Sequence, residues 1–192
     1  AMRILRDELP SIEVTVSSQF SPGLADALSR GTLDLAFLRL EPERPDLIFK
    51  SVIREPLVVV LPSDHPLASQ DAINPHDLEN EIFITVSPTA PVLRAVIEDF
   101  LKRSDLKIAA QHEVDNLSMA ISLVASTRGV ALLPIYAKNF LPWSVVSRPL
   151  KGHAPTIDLM VAHHKANTSP VLKLFLARID ELIARVAMKH EK

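Results

Sequence analysis

Residues 57–61 read Leu-Val-Val-Val-Leu and are closed by Pro62. So short an apolar run is too brief for a helix, and a strand with one wet face would alternate with polar residues. It predicts a strand buried on both sides, as in the middle of an α/β sheet. LDLAFL at 33–38 reads the same way, and strands are expected at 82–86, 108–114, 130–133, 145–148 and 157–162.

Helical patterns fall between these strands. Leu24, Ala27 and Leu28 form one stripe, ended by Gly31. Leu93, Val96, Ile97, Phe100 and Leu101 form a second, up to about Arg103, and Leu117, Ala120, Ile121 and Val124 a third. A last helix over 170–187 carries Leu172, Phe175, Leu176, Ile179, Leu182, Ile183 and Val186. Near the start, Ile4, Leu5 and Leu9 have helical spacing, Pro10 stops them, and Ile12, Val14 and Val16 alternate as in a strand. Strands alternating with helices predict an α/β fold with a mainly parallel sheet. The polar stretch 62–81, punctuated by Pro62, Pro66 and Pro75, separates two such runs and implies two lobes; a short helix is expected within it near 77–79.

Composition narrows the function. The chain has 192 residues and no cysteine, which removes disulfides, thiol nucleophiles and thiolate metal sites. Lys plus Arg number 21 and Asp plus Glu 23, a formal charge of −2, without the basic excess of a domain that itself grips nucleic acid. With only four glycines, there is no GxGxxG loop, Walker A loop or GxSxG elbow. No apolar run approaches the roughly 20 residues of a membrane span, and the N-terminus lacks the apolar core of a secretory signal. Ala1-Met2 reads as an excision point, so a fragment is expected.

Seven histidines invite a metal reading, but there is no HExxH, and the adjacent His163-His164 on a strand face opposite ways. They read as core or solvent histidines. No nucleophile turn or paired-carboxylate constellation is legible, so no catalytic residue, metal or cofactor is assigned. Oxygen-bearing residues stand where helices follow strands: Ser21 before Pro22, Ser87 or Thr89, and Asp115. Each is expected as an N-cap. At the carboxyl ends of strands in an open sheet, such places are also anion sites. Arg39, directly after 33–38, reads either as a ligand contact or as a surface charge paired with Glu41 or Glu43.

RGTLDLAFLR (30–39), REPLVVVLPSDHPLA (54–68) and HEVDNLSMAISLVASTRGVALLP (112–134) resemble, in order and spacing, the effector-binding domain of LysR-type transcriptional regulators. ILRDELPSIEVTV (4–16) resembles its first helix and second strand, and the terminal helix also fits. The resemblance implies two Rossmann-like lobes joined by two crossover strands, a periplasmic-binding-protein type II-like fold. Lobe I is expected at 1–61 plus 162–192 and lobe II at 62–161, with hinge strands near 57–61 and 157–163. It implies a small-molecule effector held between the lobes, and the helix starts at Ser21 and 87–93 make an organic carboxylate the expected ligand. The pocket positions it implies are Phe20, Ser21, Arg39, Ser87, Thr89, Leu93, Asp115, Asn116 and His163. An Arg at position 39 resembles the subgroup that regulates breakdown of aromatic acids.

It further implies a cytoplasmic, non-enzymatic protein that self-associates as a dimer or tetramer, through helix 22–30 or helix 115–127. DNA is reached only through an N-terminal domain absent from this chain, and no membrane is involved. A solute-binding protein of a transport system shares the fold and is the runner-up reading. Two departures stand out. The chain begins inside the family's first helix, so the opening strand and one pocket wall are expected to be missing. Thr127 stands where the family often has Gly, so the helix end before Gly129 is expected to differ.

Overall fold

The run 57–61 lies within strand β2, Leu47–Pro62, and its side chains alternate between two cores. Leu57, Val59 and Leu61 join one with Phe83, Val86, Ile97 and Phe100. Val58 and Val60 join the other with Ile84, Val114, Ile121, Val124 and Leu133. Burying a Val or Leu side chain contributes about 1.5–3 kcal/mol, so this segment is the centre of its sheet for energetic as well as geometric reasons. The structure is a computed structural model and describes residues 12–39 and 44–190. The expected helix around 4–9 and the Glu41 and Glu43 partners of Arg39 lie outside the described residues.

The chain divides into two compact units, Ala1–Ile53 with Asp158–Lys192, and Arg54–Ile157. It passes between them twice, along β2 and along β7, Thr156–His164. Residues 57–61, expected with lobe I, therefore stand in the second unit, and 158–161, expected with lobe II, in the first. Hydrogen bonding explains the first placement: Leu57–Val60 pair with β5, Val130–Pro134, and Val58–Pro62 with β6, Val145–Pro149.

The second unit carries β3, Phe83–Val86, and β4, Ala110–Val114, beyond β5. Helix α2, Pro91–Arg103, buries Ile97 and Phe100 against one core, and α3, Leu117–Thr127, buries Ala120, Ile121 and Val124 against the other. The stretch 62–81 does not separate lobes. Its two 3-10 turns, Pro66–Ser69 and Pro75–Leu78, pin Ala68, Ile73 and Leu78 into the same core.

The sheet is mixed rather than mainly parallel. β3 runs parallel to β4 and β5, but β2 is antiparallel to both β5 and β6. β5 and β6 flank β2 and so run in the same direction, joined by a short 3-10 turn, Ile135–Phe140, and the loop after it.

In the first unit, α1, Ser21–Ser29, packs Leu24, Ala25 and Leu28 on Ala36, Leu38, Leu47 and Ala162. Strand β1 is shorter than expected, Ala36–Arg39, and pairs antiparallel with β7. It is one-sided: Ala36 and Leu38 are buried, while Phe37 is 42% exposed on the other face. The expected strand 12–16 does not form. Residues 12–20 have no ladder partner among the described residues, and Val16 is 73% exposed. Alternation specifies which face a strand would bury, not that a partner is there to receive it. The last helix, α4, runs Pro170–His190, with Leu172 and Ile179 buried.

Candidate functional site

Two parallel strands end side by side. Val86 of β3 is in register with Val114 of β4, and the Ser87 amide donates to the Val114 carbonyl at 2.8 Å. The next residue of each strand therefore meets its neighbour: Ser87 Oγ donates to Asp115 Oδ1 at 2.6 Å. Thr89 Oγ1 lies 2.6 Å from Ser87 Oγ, and the Thr89 amide donates to that same oxygen at 3.3 Å. Thr89, Ser87 and Asp115 thus form one hydrogen-bonded chain at the carboxyl end of the sheet. Ser87 is buried; Thr89 and Asp115 are exposed.

None of these three is the helix cap expected of it. The N-cap of α2 is Ala90, which has no side-chain oxygen, and Pro91 sets the first helical φ. The N-cap of α3 is Asn116, whose Oδ1 accepts from the Met119 amide at 2.9 Å. Asp115 stands one residue before the cap, and its Oδ1 accepts from Ser87. Leu93 is half-buried and packs against the core built on Leu57 and Phe83.

Arg94 is a member of this corner that sequence reading missed. Its Nε donates to Glu98 at 2.7 Å, and its Nη1 donates to Glu113 at 2.9 Å and reaches the Val86 carbonyl at 3.5 Å. It ties α2 to the last turn of both strands that carry Ser87 and Asp115. The hydrogen bond to Glu98, then that to Glu113, raises the guanidinium pKa further. The Glu98 contact was legible as an i,i+4 pair; the Glu113 contact depends on the fold.

The first unit holds a separate group. Ser21 is the first residue of α1, not its cap; the N-cap is Phe20, whose carbonyl accepts from Leu24 at 3.1 Å. Ser21 Oγ instead accepts the Arg39 amide at 3.1 Å. Phe20 is 46% exposed. His163 is not brought to this group. It follows Ala162, the partner of Ala36, whereas Arg39 pairs with Leu159 at the other end of the ladder. At about 3.3 Å per residue that is over 10 Å away along the strand. His163 Nδ1 is instead 3.1 Å from the His164 carbonyl oxygen. Among the described residues no group of three or more His, Asp or Glu is placed to hold a metal ion, and no helix is long and apolar enough to cross a membrane.

The fold is α/β of the periplasmic-binding-protein type II-like kind, and in open α/β sheets ligands sit outside the carboxyl ends of strands. The chain belongs to the LysR substrate binding domain family, whose model matches residues 1–184. It is 30% identical over 178 residues to the Hca operon transcriptional activator HcaR of Escherichia coli (strain K12), covering 92% of this chain and 60% of that one. It is 26% identical to the HTH-type transcriptional regulator AlsR of Bacillus subtilis (strain 168), covering 91% and 58%. The chain therefore spans about 60% of the length of these curated relatives. In fold it is similar to the BenM effector binding domain with its effector benzoate (TM-score 0.85, 20% identity, 97% of this chain and 85% of that one). It is likewise similar to the effector binding domain of QuiR in complex with shikimate (TM-score 0.79, 21% identity, 98% and 89%).

Proposed function

We propose that this chain is the ligand-sensing domain of a bacterial LysR-type transcriptional regulator, working in the cytoplasm and catalysing no reaction. The effector is a small organic carboxylate, the class to which the benzoate of BenM and the shikimate of QuiR belong. The observation that carries the reading is the Thr89–Ser87–Asp115 chain at the ends of β3 and β4, in a domain of this family. In this reading the two compact units, Ala1–Ile53 with Asp158–Lys192 and Arg54–Ile157, take the place of the expected lobes 1–61 plus 162–192 and 62–161. Ser21 and Arg39 are the contacts expected from the first unit, and Phe20 and Asn116 complete the set; His163, at the far end of the β1–β7 ladder from Arg39, is left out of it. Leu93 acts by holding α2 in place.

In the intact regulator a separate DNA-binding domain contacts the operator. The effector acts through its different affinity for two arrangements of the protein. Self-association, with two-fold symmetry as in most homo-oligomers, uses apolar positions left exposed on the helices, such as Met119 of α3.

Calorimetric titration with benzoate and shikimate tests the reading. Binding of either acid that weakens about fivefold or more in Ser21→Ala, and binding of shikimate, which carries hydroxyl donors, that weakens likewise in Thr89→Ala, support it, as loss of one hydrogen bond of about 1 kcal/mol predicts. Unchanged affinity in both variants moves the site away from these residues.

A further inference from the structure

The proton count along the Thr89–Ser87–Asp115 chain restricts what can bind there. An ionised carboxylate has no proton, and a hydroxyl has one. Ser87 Oγ, at 2.6 Å from Asp115 Oδ1, gives its only proton to that oxygen. Its lone pairs receive the Thr89 amide at 3.3 Å and the Thr89 hydroxyl at 2.6 Å. The single Thr89 proton is therefore also used inside the chain. What this three-residue chain leaves to a ligand is Asp115 Oδ2 and the remaining lone pairs of Thr89, all of them acceptors.

A carboxylate placed against these atoms meets lone pairs and a like charge. The donors nearest in sequence are the N–H groups in the first turn of α2, after Pro91, and the Arg94 guanidinium. Helix α2 has no side-chain cap at its N-terminus and no acidic residue in its first turn. Its positive end is therefore not neutralised by its own residues. An effector that satisfies both ends carries an anion for the α2 terminus and a hydrogen-bond donor for Asp115.

We infer that Asp115 makes this corner select a carboxylate that also bears a hydrogen-bond donor, a hydroxy acid or an amino acid, over the same carboxylate without one. The inference rests on the effector reading above and names the class of effector within it. The donor is taken by Asp115 Oδ2 and Thr89 Oγ1, and the charge on the acceptor strengthens the bond.

Matched probes test it, with and without the donor: propionate, lactate and alanine; benzoate, 3-hydroxybenzoate and 3-aminobenzoate; cyclohex-1-enecarboxylate and shikimate. Each is titrated calorimetrically into the native chain, Asp115→Asn and Thr89→Val, with circular dichroism confirming the fold of each variant. The native chain is expected to bind the donor-bearing member of at least one set about tenfold tighter than the plain acid. Whether the hydroxyl or the amino member leads tells the two donor sources apart. In Asp115→Asn the preference falls while the plain acid binds as well or better, because the like charge has gone. A merely structural Asp115 would weaken both together. Thr89→Val lowers the preference without that gain. Equal affinity within every set, or a preference that Asp115→Asn leaves intact, overturns the inference and leaves the effector reading standing. Absence of binding by every probe overturns both.

Discussion

The Arg39 amide donates to Ser21 Oγ at 3.1 Å, joining the end of β1 to the first residue of α1 across 18 positions of sequence. Ser21→Ala leaves that amide without its acceptor. The loss is expected to cost about 1 kcal/mol and to fall on the first unit. Amide hydrogen exchange should show faster exchange at Arg39 and along α1, with residues of the second unit unchanged.

Asn116 is the one side chain that caps a helix of the corner, through the Met119 amide. Asn116→Ala is expected to lower stability by about 1 kcal/mol, the ordinary worth of an N-cap. Asn116→Asp and Asn116→Ser should keep most of it. Urea denaturation of the three variants checks the order.

Gly129 is required by space. A Cβ there would stand 2.6 Å from the Ile82 carbonyl oxygen, which already accepts the Val130 amide at 2.8 Å. Gly129→Ala should destabilise the chain by about 1–3 kcal/mol, the usual cost of overpacking. The left-handed residue at this helix end is the preceding one, Arg128, with φ 59. Arg128→Gly should relieve that backbone strain, so denaturation of the two glycine-changing variants is expected to shift in opposite senses once the Arg128 ion pair is screened by salt.

Arg128 also donates to Asp64 at 2.7 Å, and this hydrogen bond holds the Asp64 carboxyl below its ordinary 3.8. A lowered folded-state pKa stabilises above the unfolded value and ceases to do so as pH falls through the folded one. The stability gap between the native chain and Asp64→Asn should therefore be constant above about pH 5 and shrink below 3.8. The pair is exposed, so the gap should be small and should narrow in high salt. Urea melts across the acid range, at two ionic strengths, measure it.

Sequence alone determined the elements whose evidence is local. The unbroken apolar run 57–61 can satisfy all its side chains only between two cores, and it lies between them. The stripes of α2 and α3 name their own buried faces, because residues three and four apart share one side of a helix. Partnership was decided by the tertiary structure. Ile12, Val14 and Val16 alternate as a strand should, yet 12–20 pair with nothing described, since a ladder needs a second strand that no local pattern supplies. Ser87 and Asp115 were legible as polar residues after strands, but their contact follows from Val86 standing in register with Val114, 28 residues away. The same holds for Ser21 with Arg39, for Arg94 with Glu113, and for the distance of His163 from Ser21. Periodicity reports which side of an element is apolar. Register, which fixes what the polar side meets, is set by pairing between segments far apart in the chain.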